Sequence, residues 1–249
     1  MCLLAVFFRV VEDAPLIVGA NREEAYARGG EPPQLQVAAC RFVAGRDPSA
    51  GGTWLGVNER GVVVAITNRT KSQLPPKPRS RGLLVRDLLG CSSAQEAVRL
   101  ASQELGQNRY AGCNLVCADL ENATVFHASD WLRVRPLPPG IHVLTAHDVN
   151  DGSDRRLGHA LWWLHQRDYA TTDDCVAALK ELCAQTGNGD PPICLRGPVG
   201  GTVSSSIVVL RGSLARSAYF HAQGPPDQTP YADYSHLLRE LAPAKPEGA

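Results

Sequence analysis

The sequence predicts an α+β domain with mainly antiparallel sheets. Apolar, strand-like runs occur as neighbouring pairs joined by short turns, and helical patterns lie in groups between them rather than alternating with single strands. The chain has 249 residues, 44% of them hydrophobic, which is enough for one sizeable core. We therefore expect a single domain over residues 1–241 and a disordered tail over residues 242–249.

The first quarter of the chain predicts two hairpins. Residues 12–15 form the first turn, and Gly61, which can take a positive φ, ends the second turn after Asn58. The first hairpin is predicted to end at the charged segment over residues 21–24, and the Glu-Pro-Pro run at 31–33 is predicted as a loop. The four strands are predicted over residues 2–11, 16–20, 54–57 and 62–67.

The remaining elements follow from helical periodicity and further apolar runs. Ser93 and Glu96 have the spacing of a capping box at the start of a helix, and Asp154 is suited to cap another. Helices are predicted over residues 81–89, 93–105, 154–169, 172–185 and 231–241. Strands are predicted over residues 114–119, 124–128, 132–137, 142–145, 202–211 and 218–221.

Composition excludes several classes of protein. The 25 basic and 25 acidic residues give no net charge, so nothing favours nucleic acid or anionic membrane as a partner. No apolar run is long enough to span a bilayer, and residues 3–8 lack the basic leader of a secretory signal. We expect a cytoplasmic protein that binds a small molecule.

The eight cysteines are too sparse for a disulfide scaffold and lack zinc spacing, so no metal or cofactor is predicted. Cys113 and Cys117 lie four apart with no matching second pair. The histidines, among them His127 and His142, are interpreted as packed or surface residues rather than as partners of a catalytic cysteine.

Cys2 differs from the other cysteines because it follows the initiator methionine. Methionine aminopeptidase is expected to remove Met1 before so small a residue. The thiol and a free α-amine, with a pKa of about 7.7–8.0 in model compounds, would then belong to one residue and supply nucleophile and base together. The alternative is that Cys2 merely starts a strand and buries its thiol.

Charged side chains are predicted to lie beside Cys2. Because the first two strands form an antiparallel hairpin, their far ends bring Cys2 next to residues 19–24. Arg22 there would lower the thiol pKa or hold a substrate carboxylate, and Glu23 would orient the α-amine. An ordinary exposed charged loop is the alternative.

Two further segments are candidates for the site. Asn68 lies at a strand end, where its amide N–H would face a developing oxyanion, or else would cap the following loop. Gly51 and Gly52 precede Trp54, and they either let a substrate approach the backbone or form a flexible turn.

A family resemblance rests on three stretches of the first 70 residues. They are Met1-Cys2, Asn21-Arg22-Glu23-Glu24, and Gly51-Gly52-Thr53-Trp54-Leu55-Gly56-Val57-Asn58 continuing into Ala65-Ile66-Thr67-Asn68-Arg69. Weaker similarity continues through Asn114-Leu115-Val116, His142-Val143-Leu144-Thr145 and Gly201-Thr202. The chain resembles the NRDE family, also called the transport and Golgi organization protein 2 family.

The resemblance implies a four-layer αββα sandwich of the N-terminal-nucleophile hydrolase type, distantly similar to the cholylglycine hydrolase and penicillin V acylase group. It matches Cys2 to the nucleophile, Asn21 and Glu23 to the Asn and Asp of the second strand, and Asn68 to an oxyanion position. This sequence departs from those patterns at four positions. Glu23 is a longer carboxylate than the family's Asp. Ala20 is found where the acylases have an arginine, Ala146 where they have an asparagine of the oxyanion hole, and Val203 where the family has an arginine.

Two functions follow as expectations. The first is hydrolysis of a small-molecule amide through a Cys2 thioester, with Arg22, Glu23 and Asn68 as catalytic residues and with Asn21, Trp54 and Asn58 in substrate binding. The second is a non-catalytic carrier or trafficking protein, for which the resemblance suggests haem handling or organisation of the secretory pathway and Golgi.

Overall fold

A computed structural model describes residues 2–242, which form thirteen strands and five α-helices. The strands are β1 Leu3–Phe8, β2 Leu16–Ala25, β3 Glu31–Val37, β4 Arg41–Arg46, β5 Leu55–Asn58, β6 Val63–Asn68, β7 Cys113–Ala118, β8 Ala123–Ala128, β9 Leu132–Pro136, β10 Gly140–Leu144, β11 Gly200–Leu210, β12 Ala218–Ala222 and β13 Ala232–Asp233. The helices are α1 Arg81–Leu88, α2 Ala94–Gly106, α3 Arg155–His165, α4 Thr172–Cys183 and α5 Ser235–Leu241.

The strands form two antiparallel sheets. The first has the order β10-β1-β2-β11-β12-β13, and the second follows chain order from β3 to β9. In the first sheet β1 and β2 form the predicted hairpin, with Leu3 opposite Asn21 and Phe8 opposite Leu16. Strand β10 pairs along the other side of β1, so the strand that follows Cys2 lies inside the sheet rather than at its edge. Strand β11 likewise pairs along the other side of β2.

Three apolar clusters hold the layers together. Alternate residues of β1, including Leu4 and Val6, pack between the two sheets, while Ala5 and Phe7 face α3 and α4. A third cluster joins the outer face of the second sheet to α1 and α2. This alternation is the period of two that a strand buried on both faces requires. The result is the predicted four-layer αββα sandwich of the N-terminal-nucleophile hydrolase type.

The helices begin at residues suited to cap them. The side chain of Ser93 accepts a hydrogen bond from the Glu96 N–H, and Asp154 accepts from the N–H groups at the start of α3. Thr171 and Asp174 form a reciprocal capping box before α4. At α2 the Glu96 carboxylate bonds to Ser92 instead of to the Ser93 backbone, so the predicted capping box is only half formed.

Several predicted boundaries were wrong. Residues 21–24 continue β2 rather than forming a loop, because β11 pairs with them. Residues 31–33 begin β3, an edge strand, where a proline removes no required hydrogen bond. Strand β10 leaves the β7–β9 series and pairs with β1 in the other sheet. The closing helix starts at Ser235, after the short β13.

The predicted tail falls almost wholly outside the described residues. Ala242 is described and follows the last turn of α5, where its N–H donates to the carbonyl of Leu238. Residues 243–249 lie beyond the part of the chain that the structure describes.

Candidate functional site

The Cys2 thiol lies against the backbone of β2. Its Sγ is 3.4 Å from the Glu23 nitrogen, whose N–H donates to the sulfur, and 3.8 Å from the Glu23 carbonyl oxygen. Continuing the β1–β2 register by one residue places Cys2 opposite Arg22. The hairpin thus brings Cys2 to the segment that its spacing in the sequence predicts.

Cys2 opens into a cleft of about 260 Å³ between the ends of the two sheets. Asn68, the last residue of β6, lies on the wall that the second sheet contributes. The start of α1 forms a third wall. Among the residues lining the cleft are Cys2, Arg22, Glu23, Trp54, Asn68 and Arg81.

Arg22 is a buried cation at one side of this cleft. Its guanidinium carbon lies 4.4 Å from the centre of the Trp54 ring, which is close enough for a cation–π contact. Nη1 donates to the Gly29 carbonyl at 2.9 Å, and Nη2 lies 3.9 Å from a Glu24 carboxylate oxygen. These contacts hold the guanidinium of Arg22 in place where it lines the cleft.

Glu23 is buried on the opposite face of β2, towards the helices. Its Oε1 accepts from Arg156 Nη2 at 2.8 Å and from the Thr202 hydroxyl at 3.2 Å. Burial raises the pKa of Glu23 above its ordinary value, and the positive charge of Arg156 opposes that rise. Arg156 therefore holds the carboxylate that the sequence suggests as a catalytic group.

The thiol of Cys2 is not activated by its surroundings. Burial and the neighbouring Glu23 carboxylate raise its pKa to about 11, although the Glu23 N–H and Arg22 act in the opposite direction. A thiol with such a pKa is protonated at neutral pH. The site therefore needs a base to generate the nucleophile, and no histidine is found among the described residues that line the cleft.

The far wall of the cleft is rich in arginine. Arg28 pairs with Asp47 at 2.7 Å and Arg79 with Asp87 at 2.6 Å. Arg81, the first residue of α1, donates to a backbone carbonyl at 2.8 Å, and among residues 2–242 no carboxylate lies within ion-pair distance of it. Its charge remains available to an anionic group in the cleft.

Asn21 does not face the cleft. Its side chain is fully buried against the helix layer, where Nδ2 donates to the carbonyls of Cys183 at 2.9 Å and Ile193 at 3.2 Å. The predicted contact with substrate is therefore not made. Asn21 instead ties β2 to the end of α4 and the segment that follows it.

Asn58 likewise belongs to the framework rather than to substrate binding. Its Nδ2 donates to the carbonyls of Leu89 and Cys91 at 2.9 and 2.7 Å. Its Oδ1 accepts from the N–H groups of Arg60 and Val62, both at 2.9 Å. Two of these bonds close the β5–β6 turn, and the other two tie it to the segment that follows α1. Asn58 does not line the cleft.

The remaining candidates are accounted for separately. Ala146 is buried and is not among the residues lining the cleft. His127 bonds to Asn114, and burial lowers its pKa to about 4. Over residues 2–242, no group of three or more His, Cys, Asp or Glu side chains is placed to hold a metal ion. No helix in that range is long and apolar enough to cross a membrane.

Sequence reasoning missed two residues of this neighbourhood. Arg156, to which the sequence analysis assigns no role, is the cation that binds Glu23. No local pattern indicates this role, because α3 lies more than 100 residues from β2 along the chain. Arg81 lies on a predicted helix, and helical periodicity does not indicate that it lines the cleft.

Comparison with known proteins gives a family match over most of the chain. The family model described as Transport and Golgi organisation 2 matches residues 1–188. The human Transport and Golgi organization protein 2 homolog is 34% identical over 111 residues, and the Mus musculus homolog is 33% identical over the same length. The matched segment covers 43% of this chain and 40% of each relative, so it spans two fifths of the relatives' length.

Among the solved structures with a similar fold are an acylase, an acid amidase and a hydrolase. A penicillin V acylase from Agrobacterium tumefaciens superposes with a TM-score of 0.60 at 13% identity, covering 97% of this chain and 88% of that one. An N-acylethanolamine-hydrolyzing acid amidase ortholog from Caenorhabditis elegans gives 0.57 at 17% identity, covering 84% and 92%. A conjugated bile acid hydrolase from Clostridium perfringens gives 0.54 at 13%, covering 96% and 94%. At these identities the likeness concerns the fold alone.

Proposed function

The chain belongs to the Transport and Golgi organisation 2 family, and from that premise we propose that it is a cysteine N-terminal-nucleophile hydrolase. Its reaction is cleavage of an amide bond in a small molecule through a thioester on Cys2. The observation that carries the proposal is the position of the Cys2 thiol, at the floor of a cleft that Arg22 and Asn68 also line. The fold it shares with named acylases and amidases supports the same reaction class.

The mechanism requires Cys2 to be the first residue of the mature protein. Its α-amine then takes the thiol proton, directly or through one water, because no other base of the cleft is suited to do so. The sulfur attacks the carbonyl carbon, and the C–N bond breaks as the amine leaves with that proton. Water then cleaves the thioester, releasing a carboxylic acid and restoring the thiol.

The neighbouring side chains take distinct roles in this scheme. Arg22 provides positive charge beside the sulfur and favours its thiolate. Asn68 donates its amide N–H to the oxyanion that forms on the attacked carbonyl. Glu23, held by Arg156, positions the amino-terminal end of β1 through the backbone contact to Cys2. Trp54 forms the apolar wall against which the substrate lies.

Covalent labelling tests this proposal directly. The purified protein is incubated with an electrophilic acyl probe, and its intact mass is measured before and after. We expect one acyl group on Cys2 in a chain that begins at Cys2, and none on Cys2→Ala. Cys40→Ala, which removes another half-buried thiol, is the matched control and should label like wild type. Equal labelling of wild type and Cys2→Ala would refute the thioester.

A non-catalytic carrier in the cytoplasm is the second candidate. It is favoured by Ala146, which offers no side-chain donor where the acylases have an asparagine. The ligand to test is haem, which the family resemblance suggests. Titration followed by haem absorbance separates the candidates, because a saturable complex together with no acylation of Cys2 supports the carrier. Acylation without haem binding supports the hydrolase.

A further inference from the structure

A second pocket, of about 250 Å³, lies on the other side of Arg22 and Trp54 from Cys2. Both residues line the two cavities, so the cavities adjoin along this stacked pair of side chains. The rest of the second wall is mainly apolar and includes Tyr26, Val203 and Pro225. Arg22 is the only charged residue among the described residues that line it.

One polar group in this pocket has no partner. Ser204 is 3% exposed, and its Oγ makes no hydrogen bond to any described residue. A buried hydroxyl left without a partner costs about 1–3 kcal/mol, so such groups in a native fold call for an explanation. Since Ser204 lines the pocket, a ligand that occupies the pocket would supply the missing partner.

The backbone of β11 explains how Ser204 comes to face this space. The β2–β11 register shifts between Thr202 and Ser204, which marks a bulge at Val203. A bulge redirects side chains locally. Thr202 donates its hydroxyl to Glu23, and the next two residues, Val203 and Ser204, both line the pocket.

The pocket is aligned with the nucleophile. Ser204 lies directly opposite Arg22, and the register places Cys2 opposite Arg22 on its other side. Residues paired in this way share one face of a sheet. Because neighbouring strands are about 4.8 Å apart, Cys2 and Ser204 are separated by roughly 10 Å along one row. A substrate whose carbonyl lies at Cys2 reaches Ser204 with a short chain that passes Arg22.

Close packing at Gly30 keeps the stacked Arg22 and Trp54 side chains in place beside the pocket. A Cβ added at Gly30 would lie 3.2 Å from Arg22 Nη1 and 3.5 Å from Trp54, so the glycine leaves room for the stacked pair. Gln223 fixes this glycine by donating to its carbonyl at 2.7 Å. The pocket is therefore formed by ordered contacts on each side.

We propose that this cavity, the Ser204 pocket, binds the acyl substituent of the amide substrate. The inference rests on the proposed hydrolase function and specifies its substrate class. That class is an amide with an apolar acyl chain that carries a hydrogen-bonding group near its far end, matched by the Ser204 hydroxyl. An ammonium group at that end is excluded from the class, because the pocket walls are apolar and the only charged residue among the described residues that line them, Arg22, is itself positive.

The test measures binding separately from chemistry. Dissociation constants of butanamide, hexanamide, 6-hydroxyhexanamide and N-butylacetamide are measured by calorimetry on Cys2→Ala, which cannot turn over. Each buried methylene should tighten binding about fourfold, so hexanamide should bind about fifteenfold more tightly than butanamide. The terminal hydroxyl should add about a further fivefold.

Two substitutions in the same background locate these effects. Val203→Phe fills the pocket and should abolish the gain from chain length, while Val199→Phe, at an exposed position, should leave the gain intact. Ser204→Ala should keep the gain from chain length and lose the preference for the hydroxyl. Thermal melts confirm that each variant is folded before binding is compared.

The outcomes separate this proposal from the function on which it rests. A chain-length gain that survives in Val203→Phe, or a hydroxyl preference that survives in Ser204→Ala, overturns the Ser204 pocket. If N-butylacetamide, rather than hexanamide, binds more tightly than butanamide, the pocket does not bind the acyl side of the amide, and the assignment is overturned. If these binding results hold while a wild-type chain beginning at Cys2 is not acylated, the pocket stands and the hydrolase function fails. If Cys2 is acylated but affinity does not increase with the length of the acyl chain, the hydrolase function stands and the Ser204 pocket fails.

Discussion

Arg156 of α3 reaches across the packed layers to Glu23 of β2, with its Nη2 2.8 Å from the carboxylate Oε1. The side chains are 14% and 3% exposed, so the ion pair is almost entirely removed from water. Removing one partner of such a pair leaves an uncompensated buried charge. The contact therefore couples the helix layer to the strand that carries the candidate site.

Arg156→Ala should lower the free energy of unfolding by about 3–5 kcal/mol, because it leaves Glu23 buried without this cation. The measurement is urea unfolding at pH 7. Arg155→Ala is the matched control, since Arg155 is exposed and should change stability by less than about 0.5 kcal/mol. Equal effects of the two substitutions would mean that the ion pair contributes nothing specific.

Cys2 alkylation should depend steeply on pH. In protein that retains Met1, prepared with methionine aminopeptidase inhibited, the thiol pKa of about 11 means that its thiolate fraction rises about tenfold per pH unit between pH 7 and 10. Iodoacetamide labelling of Cys2, followed by mass spectrometry, should rise in parallel.

Glu23 should control the position of that profile. Its negative charge raises the thiol pKa, so Glu23→Gln should shift the alkylation profile to lower pH. Glu24→Gln changes a neighbouring, more exposed carboxylate and should leave the profile nearly in place. A profile that is flat, or that moves equally in both variants, contradicts the assignment of this shift to Glu23.

Asn68 and Asn58 should behave oppositely when replaced by alanine. Loss of an oxyanion donor costs about 10²–10³ in turnover, so Asn68→Ala should slow acylation of Cys2 by that factor while the melting temperature stays close to wild type. Asn58→Ala removes four buried bonds to backbone groups and should lower stability by about 3 kcal/mol or more. Once the rates are corrected for the unfolded fraction, Asn68→Ala should therefore slow acylation and Asn58→Ala should not.

Arg81 should confer a preference for anionic substrates. A charge-assisted hydrogen bond contributes about 1.5 kcal/mol or more, so a probe that carries a carboxylate should acylate Cys2 about tenfold faster than its neutral amide analogue. The advantage should shrink at high salt and disappear in Arg81→Gln. Arg86→Gln, which changes an exposed arginine of the same helix, should preserve it. If the preference for the anionic probe persists in Arg81→Gln, a group other than Arg81 causes it.

The elements defined by local signals could be predicted from the sequence. The β1–β2 hairpin follows from apolar runs on either side of residues 12–15, and this hairpin alone brings Cys2 to Glu23. The β5–β6 hairpin follows in the same way from Gly61, and α4 follows from the helical pattern over residues 172–185. In each case the residues that specify the element lie within a few positions of one another.

The sequence could not reveal what depends on distant partners. Residues 21–24 resemble a charged loop and become strand only because β11 pairs with them. Asn58 belongs to a stretch that resembles the family, yet its side chain bonds to backbone groups of the β5–β6 turn and of the segment after α1 and does not line the cleft. Arg156 and Ser204 gain their roles through the packing of α3 and the bulge in β11, and neither feature has a local signature.

The order of strands in the first sheet has a consequence for how the chain reaches its native state. Strand β2 ends at Ala25, but the neighbour that covers its second side begins only at Gly200. Until that late segment is synthesised, β2 presents an open row of N–H and C=O groups on which another chain can dock. Such long-range pairing is slow because a large loop must close first. A nascent or truncated chain ending near residue 188, where the family match stops, is therefore the form most exposed to aggregation.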